Sequence, residues 1–381
     1  VKHLVYRPGR HFLQIPGPTN VPDRVLRAID APTIDHRGPD FAQLGLEVLD
    51  DLRTVCRTER QIAIYPASGT GAWEAALVNT LSPGDRVIAY ETGHFATLWR
   101  AMALRLGLDV VWLEGDWRTG ADPERIANAL TPDTRAVMVV HNETSTGVTS
   151  RIPDVRAALG DHDALLLVDT ISSLASIDYR HDEWGVDVTV GGSQKGLMLP
   201  AGLSFNAISA KALEASKSAK LPRSYWDWAP ILAANERGFW PYTSATNLLY
   251  GLHESLQILL RDEGLENVFA RHARHAAATR AAVAGWGLEV LALDEREYSS
   301  SLTAVLLDGS DELRNTILER FDMSLGAGLG RLADKVFRIG HLGDFNDLML
   351  AGTLSGVQMG LKLAGHDVGD GVSAALEYLQ R

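Results

Sequence analysis

The chain has 381 residues, 46% hydrophobic and 22% charged, which supplies a sizeable core and excludes a disordered or fibrous chain. Its 48 acidic residues outnumber 36 basic ones, for a net charge of −12, a poor match to nucleic acid or an anionic membrane. The single cysteine, Cys56, excludes an internal disulfide, a cysteine-based zinc site and an iron–sulfur cluster. No metal site is expected, no run approaches the ~20 apolar residues that cross a bilayer, and a cytoplasmic location fits.

The N-terminal stretch is rich in proline and glycine and includes Ile34-Asp-His-Arg-Gly38-Pro39. His36 and Arg37 there either reach a site or serve only the turn. Short apolar runs follow at 62–65, 86–90, 109–113, 136–140, 164–168, 186–190 and 203–208. Their length and β-branched content predict buried strands. Helical periodicity separates several of them, at 72–81, 96–106 and 123–130. The alternation predicts an α/β fold, a mainly parallel seven-stranded sheet with helices on both faces.

After Gly202 the texture changes. A Trp-rich loop (Tyr225, Trp226, Trp228, Trp240) leads into an amphipathic helix, in which Leu248, Leu249, Leu252, Leu256, Leu259 and Leu260 share one face. A second helix is expected at 265–285, then a strand at 303–307, a helix at 312–321, a strand at 335–339 and a helix at 344–363. These predict a smaller C-terminal α+β domain. His272 and His275, beside Arg271 and Arg274, read as a solvated helix face.

Five strand ends carry residues with chemical potential. Lys195, in Val190-Gly-Gly-Ser-Gln-Lys-Gly196, stands among small residues at a strand end. Burial there favours the neutral amine that condenses with carbonyls, although the same heptapeptide suits an exposed turn. Asp169 closes the run Ala164-Leu-Leu-Leu-Val-Asp169, where open α/β sheets bind ligands; it can hold a proton on a pyridine nitrogen or merely cap the next segment. Ser68-Gly69-Thr70-Gly71 separates a strand from a helix and offers hydroxyls and free N–H groups to a phosphate, or forms an ordinary capped turn. Phe95, after Gly93-His94, can stack on a flat ring, whereas Trp99 reads as core. His141-Asn-Glu-Thr144-Ser-Thr-Gly147 is a hydroxyl-rich loop after a buried strand. In the C-terminal part, Arg338 interrupts an apolar strand and calls for a carboxylate, internal or from a substrate.

An anion site, a ring face, a phenol partner, a pyridinium partner and an amine together meet the needs of pyridoxal 5′-phosphate. The chain resembles the class V aminotransferases of fold type I, in particular the serine–glyoxylate/alanine–glyoxylate group. Bacterial serine–glyoxylate enzymes match through Thr33-Ile-Asp-His-Arg-Gly-Pro39, His141-Asn-Glu-Thr-Ser-Thr-Gly147 and Gly192-Ser-Gln-Lys-Gly-Leu-Met-Leu-Pro200. The likeness runs from Ile15-Pro-Gly-Pro-Thr-Asn20 to Arg338-Ile-Gly-His-Leu-Gly-Asp344.

The resemblance implies an N-terminal arm (1–15), a large cofactor-binding domain (16–262) and a small domain (263–381). It implies Lys195 as the Schiff-base lysine, Asp169 as the pyridinium partner, Phe95 on the ring and Thr144 near the phenolic oxygen. Ser68, Gly69, Thr70 and Gln194 would hold the phosphate, with Tyr242 and Thr243 supplied by a second subunit, and Arg338 would grip the substrate carboxylate. The implied assembly is a homodimer with shared sites, or a tetramer built from it. The implied reaction moves an amino group from L-serine to glyoxylate, giving hydroxypyruvate and glycine. L-Aspartate or L-alanine is the alternative donor, with His36, Arg37 or His341 meeting a second carboxylate in the aspartate case. A catalytically idle module that only binds cofactor is the non-enzymatic alternative, opposed by Lys195 and Asp169. A cysteine desulfurase is excluded because Cys56 lies far upstream of Lys195, and a convincing set of cations for a phosphoserine substrate is lacking.

Overall fold

The structure is a computed structural model that describes residues 8–380; the first seven residues of the expected arm lie outside the described residues. A short strand, β1 (Phe12–Gln14), precedes helices α1 (Asp23–Ile29) and α2 (Pro39–Cys56). Then come β2 (Gln61–Tyr65), α3 (Gly69–Thr80), β3 (Arg86–Tyr90), α4 (His94–Arg105), β4 (Asp109–Leu113), α5 (Pro123–Ala129) and β5 (Thr134–Val140). A small ribbon of β6 (Asn142–Glu143) and β7 (Val148–Thr149) leads through α6 (Ile152–Leu159) to β8 (Leu165–Asp169), β9 (Val188–Gly192) and β10 (Ser204–Ile208). Helices α7 (Ala210–Ser216), α8 (Trp228–Asn235), α9 (Thr246–Gln257) and α10 (Leu265–Gly285) follow. The chain ends with β11 (Leu302–Leu306), α11 (Ser310–Phe321), β12 (Met323–Ala327), β13 (Val336–Gly340), α12 (Asp347–Leu363) and α13 (Gly371–Leu379).

The large sheet has seven strands in the order β2-β10-β9-β8-β5-β3-β4. Only β10 runs antiparallel to its neighbours. Successive side chains of a strand point to opposite faces, so each strand feeds two cores. Ile62, Ile64, Leu166 and Val168 pack with Val48 and Leu52 of α2 on one face. Ala63, Tyr65, Leu165 and Leu167 pack with the helices α3 and α4 on the other. All seven expected strands are present.

A second sheet of four strands has the order β1-β12-β13-β11. β1 pairs parallel with β12, and the other pairs are antiparallel. Its core joins Leu325, Phe337 and Ile339 to Leu313, Ile317, Leu354 and Val357 of the covering helices. The pair expected on a solvated face is buried instead. His272 accepts from the Gly343 amide at 3.0 Å and His275 meets Asp347 at 2.9 Å, because α10 packs both faces against neighbours. Among the described residues no helix is long and apolar enough to cross a membrane.

Candidate functional site

Strands β5, β8 and β9 end together. Val140 pairs with Asp169, and Asp169 pairs with Val190. This register brings the loops after all three strands to one sheet edge, where α3 and α4 also begin. A cavity of about 220 Å³ opens there, and Ser68, Gly69, Thr70, Phe95, Thr144, Asp169, Gln194 and Lys195 all line it. A larger cavity of about 490 Å³, beside Phe12, Asn20 and Met349, contains none of the candidate residues.

Lys195 sits in the tight turn between β9 and β10, fastened by bonds from Met198 N–H to its carbonyl at 2.9 Å and from Ser193 N–H to Leu203 O at 2.9 Å. The side chain is buried and its Nζ donates to the Pro16 carbonyl. Burial, aided by the Arg338 charge, pulls the ammonium down to about 7, with Asp169 and Glu143 opposing. The amine is therefore readily available as a neutral nucleophile or base near pH 7. The segment above it, Ile15-Pro-Gly-Pro-Thr-Asn20, is legible in the sequence only as the start of the family likeness, with no role at the lysine. Gly17 has φ +94°, and a Cβ there would stand 2.8 Å from Lys195 Nζ, so only glycine lets the N-terminal segment cover the lysine.

Asp169 is buried at the end of β8. Its Oδ1 accepts the Ile171 amide at 2.7 Å, and its Oδ2 accepts Nε1–H of Trp73 at 2.9 Å. Burial pushes its carboxyl upward and these two donors hold it back. A carboxylate so placed suits a cationic ring nitrogen.

At the other end of the cavity α3 starts at Gly69 after Ser68, whose hydroxyl makes no capping bond to the helix. The hydroxyl and the first amides of α3 are thus free for an anion. Gln194 Oε1 is buried without a partner. The Ser68 hydroxyl and the first amides of α3 as unspent donors for a phosphate, the Phe95 ring, an acid and a buried amine, all at one cavity, fit pyridoxal phosphate.

Glu143 is the second residue that motif reasoning passed over. Its buried carboxylate accepts from Phe95 N–H at 3.3 Å, Ala96 N–H at 3.2 Å and Ser145 N–H at 3.0 Å. Ser145 Oγ in turn accepts the His94 amide at 2.9 Å. The first turn of α4, which carries Phe95, is therefore capped from the loop after β5. The next residue in that loop, Thr144, gives its carbonyl to Arg338 Nη1 at 2.6 Å, and Ala327 O receives Arg338 Nε at 2.8 Å. Arg338 is buried, its partners are carbonyls, and among the described residues no carboxylate lies within ion-pair distance of it. Burial lowers its guanidinium to about 10.

Arg338 and the remaining candidates are not among the residues that line this cavity in their own chain. Thr243 and His36 line a separate surface cavity of about 290 Å³. Tyr242 stacks on Tyr225 at 4.6 Å, and Arg37 is exposed. His341 is fully buried between Thr303 and Ser300 and does not line the lysine cavity. Trp99 is core, stacked on Trp73.

Among known families, the profile described as Aminotransferase class-V matches residues 11–328. The chain is 49% identical to the serine–glyoxylate aminotransferase of Methylorubrum extorquens, covering 98% of this chain and 97% of that one. It is 45% identical to the L-aspartate–glyoxylate aminotransferase of Paracoccus denitrificans, covering 96% of each. Among solved structures, the ureidoglycine–glyoxylate aminotransferase of Bacillus subtilis superposes with a TM-score of 0.92 over 100% of both chains at 28% identity.

Proposed function

Since the chain belongs to the class V aminotransferase family, we propose that it transfers the amino group of L-serine to glyoxylate, releasing hydroxypyruvate and glycine. The observation that carries this reading is the buried Lys195 amine and Asp169 carboxylate lining one cavity in a chain 49% identical to a serine–glyoxylate enzyme. The cofactor is pyridoxal 5′-phosphate, which when bound supplies a carbonyl to carry the amino group and a ring to accept electrons.

The chain's residues do the rest. Ser68, Gly69, Thr70 and Gln194 would hold the phosphate, Phe95 the ring and Thr144 the phenolic oxygen. Asp169 keeps the ring nitrogen protonated. Lys195 holds the cofactor, then acts as the base that takes the proton from the substrate Cα. Arg338 pairs with the substrate α-carboxylate, the counter-charge that its carbonyl partners do not supply. Tyr242 and Thr243 close the phosphate site of a second copy, and His36 and Arg37 lie on the substrate side of that shared site. The assembly is thus a homodimer, or a tetramer of such dimers, with the arm at 1–15 and the domain boundary after residue 262. A cytoplasmic location accompanies it.

L-Aspartate is the second reading, favoured by the 45% identity to an L-aspartate–glyoxylate enzyme. The test is a half-reaction: the cofactor-loaded protein is mixed separately with L-serine, L-aspartate and L-alanine, and its visible absorbance is followed. Rapid bleaching by L-serine that glyoxylate reverses is expected. Faster bleaching by L-aspartate or L-alanine would change the donor, and no bleaching by any of them would leave a cofactor-binding module.

A further inference from the structure

Trp73 lies in the second turn of α3 with its indole 3% exposed, and it lines the same cavity as Lys195 and Asp169. Its Nε1–H donates to Asp169 Oδ2 at 2.9 Å, the only side-chain donor to that carboxylate among the described residues. Trp99 fixes the indole from behind, with ring centroids 5.9 Å apart and planes 14° from parallel. The bond is therefore built into the core rather than made by a free rotamer.

Beside a buried aromatic nitrogen, the carboxylate and the nitrogen compete for one proton. A dry environment favours the neutral pair, carboxylic acid and unprotonated ring. Hydrogen bonds donated to the carboxylate favour the ionic pair, because they stabilise the negative form. The Ile171 amide supplies one such bond to Oδ1 and Trp73 supplies the other to Oδ2. These two donors also fix the carboxylate plane.

We propose that Trp73 is a positioning residue that acts through Asp169, its indole N–H keeping the carboxylate ionised so that the shared proton resides on the ring nitrogen of the cofactor. This rests on the reading of Asp169 as the ring's partner. Phenylalanine at 73 keeps an aromatic ring against Trp99 and removes the donor together with part of the indole surface, and the Trp99→Phe variant reads the effect of lost packing.

The experiment loads the protein with pyridoxal phosphate carrying ¹⁵N at the ring nitrogen and reads its NMR shift at fixed pH. Trp73→Phe should move the resonance part of the way towards unprotonated pyridine and lower kcat about tenfold, as expected for losing one hydrogen bond to a charged group, with KM for L-serine within about twofold. Asp169→Asn should move the resonance further, and Trp99→Phe should leave it in place. An unmoved resonance in Trp73→Phe, with a shift in Asp169→Asn, overturns the role of Trp73 and keeps that of Asp169. No shift in Asp169→Asn overturns the underlying reading itself. A shift in Trp99→Phe as large as that in Trp73→Phe assigns the effect to packing and also overturns the proposal. If Trp73→Phe does not fold, the unaltered chain decides: the Trp73 indole proton should move when the 1-deaza cofactor analogue replaces the natural one, and an indifferent resonance overturns the proposal.

Discussion

Lys195→Ala should abolish turnover while the folded protein still binds the cofactor non-covalently, checked by activity and by cofactor retained on gel filtration; undiminished turnover would falsify its assignment as the base. The buried amine also makes stability depend on pH in the cofactor-free protein. Its pKa falls from the ordinary 10.5 to about 7 on folding. Between those values the unfolded chain holds a proton that the folded chain lacks, so stability rises with pH through that window, and the contribution is absent below about pH 7. The melting temperature of the cofactor-free protein should climb more from pH 7 to about 9.5 than that of Lys195→Met. Arg338→Gln preserves a donor for the Thr144 carbonyl but not the charge, so KM for L-serine should rise about 10- to 100-fold with little change in fold. Lys195, Asp169 and Arg338 were legible in the chain because each breaks a local rule, a cation or acid at the end of or inside an apolar run. Trp73 and Glu143 were not, since a tryptophan in an apolar helix and a glutamate in a polar loop break none. Their significance lies in partners 96 and 48 positions away in the chain.

Helix α4 shows how an element can depend on a residue outside it. Gly93 offers no side chain to cap it, and Glu143 and Ser145 do so from the loop after β5. A Cβ on Gly93 would come within 2.7 Å of Glu143 Cδ and would collide with Ser145 Oγ. Gly93→Ala should therefore displace the cap and cost about 1–3 kcal/mol, measured by thermal denaturation, and should loosen cofactor binding because Phe95 belongs to that first turn. A melting point equal to the parent's would sink this account. The seven strands of the large sheet were readable because each is a short run rich in apolar residues, and all but the edge strand β4 are largely buried. In the smaller sheet β11 and β13 were readable, whereas β1 and β12 were not. β1 has only three residues, and β12 reads Met-Ser-Leu-Gly-Ala, with serine and glycine interrupting the hydrophobic signal. Their existence is decided by pairing with each other across more than 300 positions. α8 was hidden in the Trp-rich stretch, and the buried faces of His272 and His275 were masked by the arginines beside them.

The whole molecule is expected to work as two copies, with Thr243 and Tyr242 of each serving the other. That predicts complementation. Lys195→Ala subunits mixed with Tyr242→Ala subunits, each poorly active alone, should regain about a quarter of wild-type activity after random reassortment, since half the dimers would be hybrids with one intact site. Activity that stays at the sum of the two variants would place Tyr242 in its own chain's site or outside any. Within one copy, the two sheets are joined by a very short piece of chain. Gln14 ends β1, paired with Leu325 of the smaller sheet, and two residues later the Pro16 carbonyl holds the Lys195 amine. Thr19 then bonds the Gln194 and Lys195 carbonyls, each at 3.1 Å. Two residues reach at most about 7 Å. The smaller sheet is thus on a leash with almost no slack, and any widening of the crevice beyond that length must first pull the carbonyl off the amine.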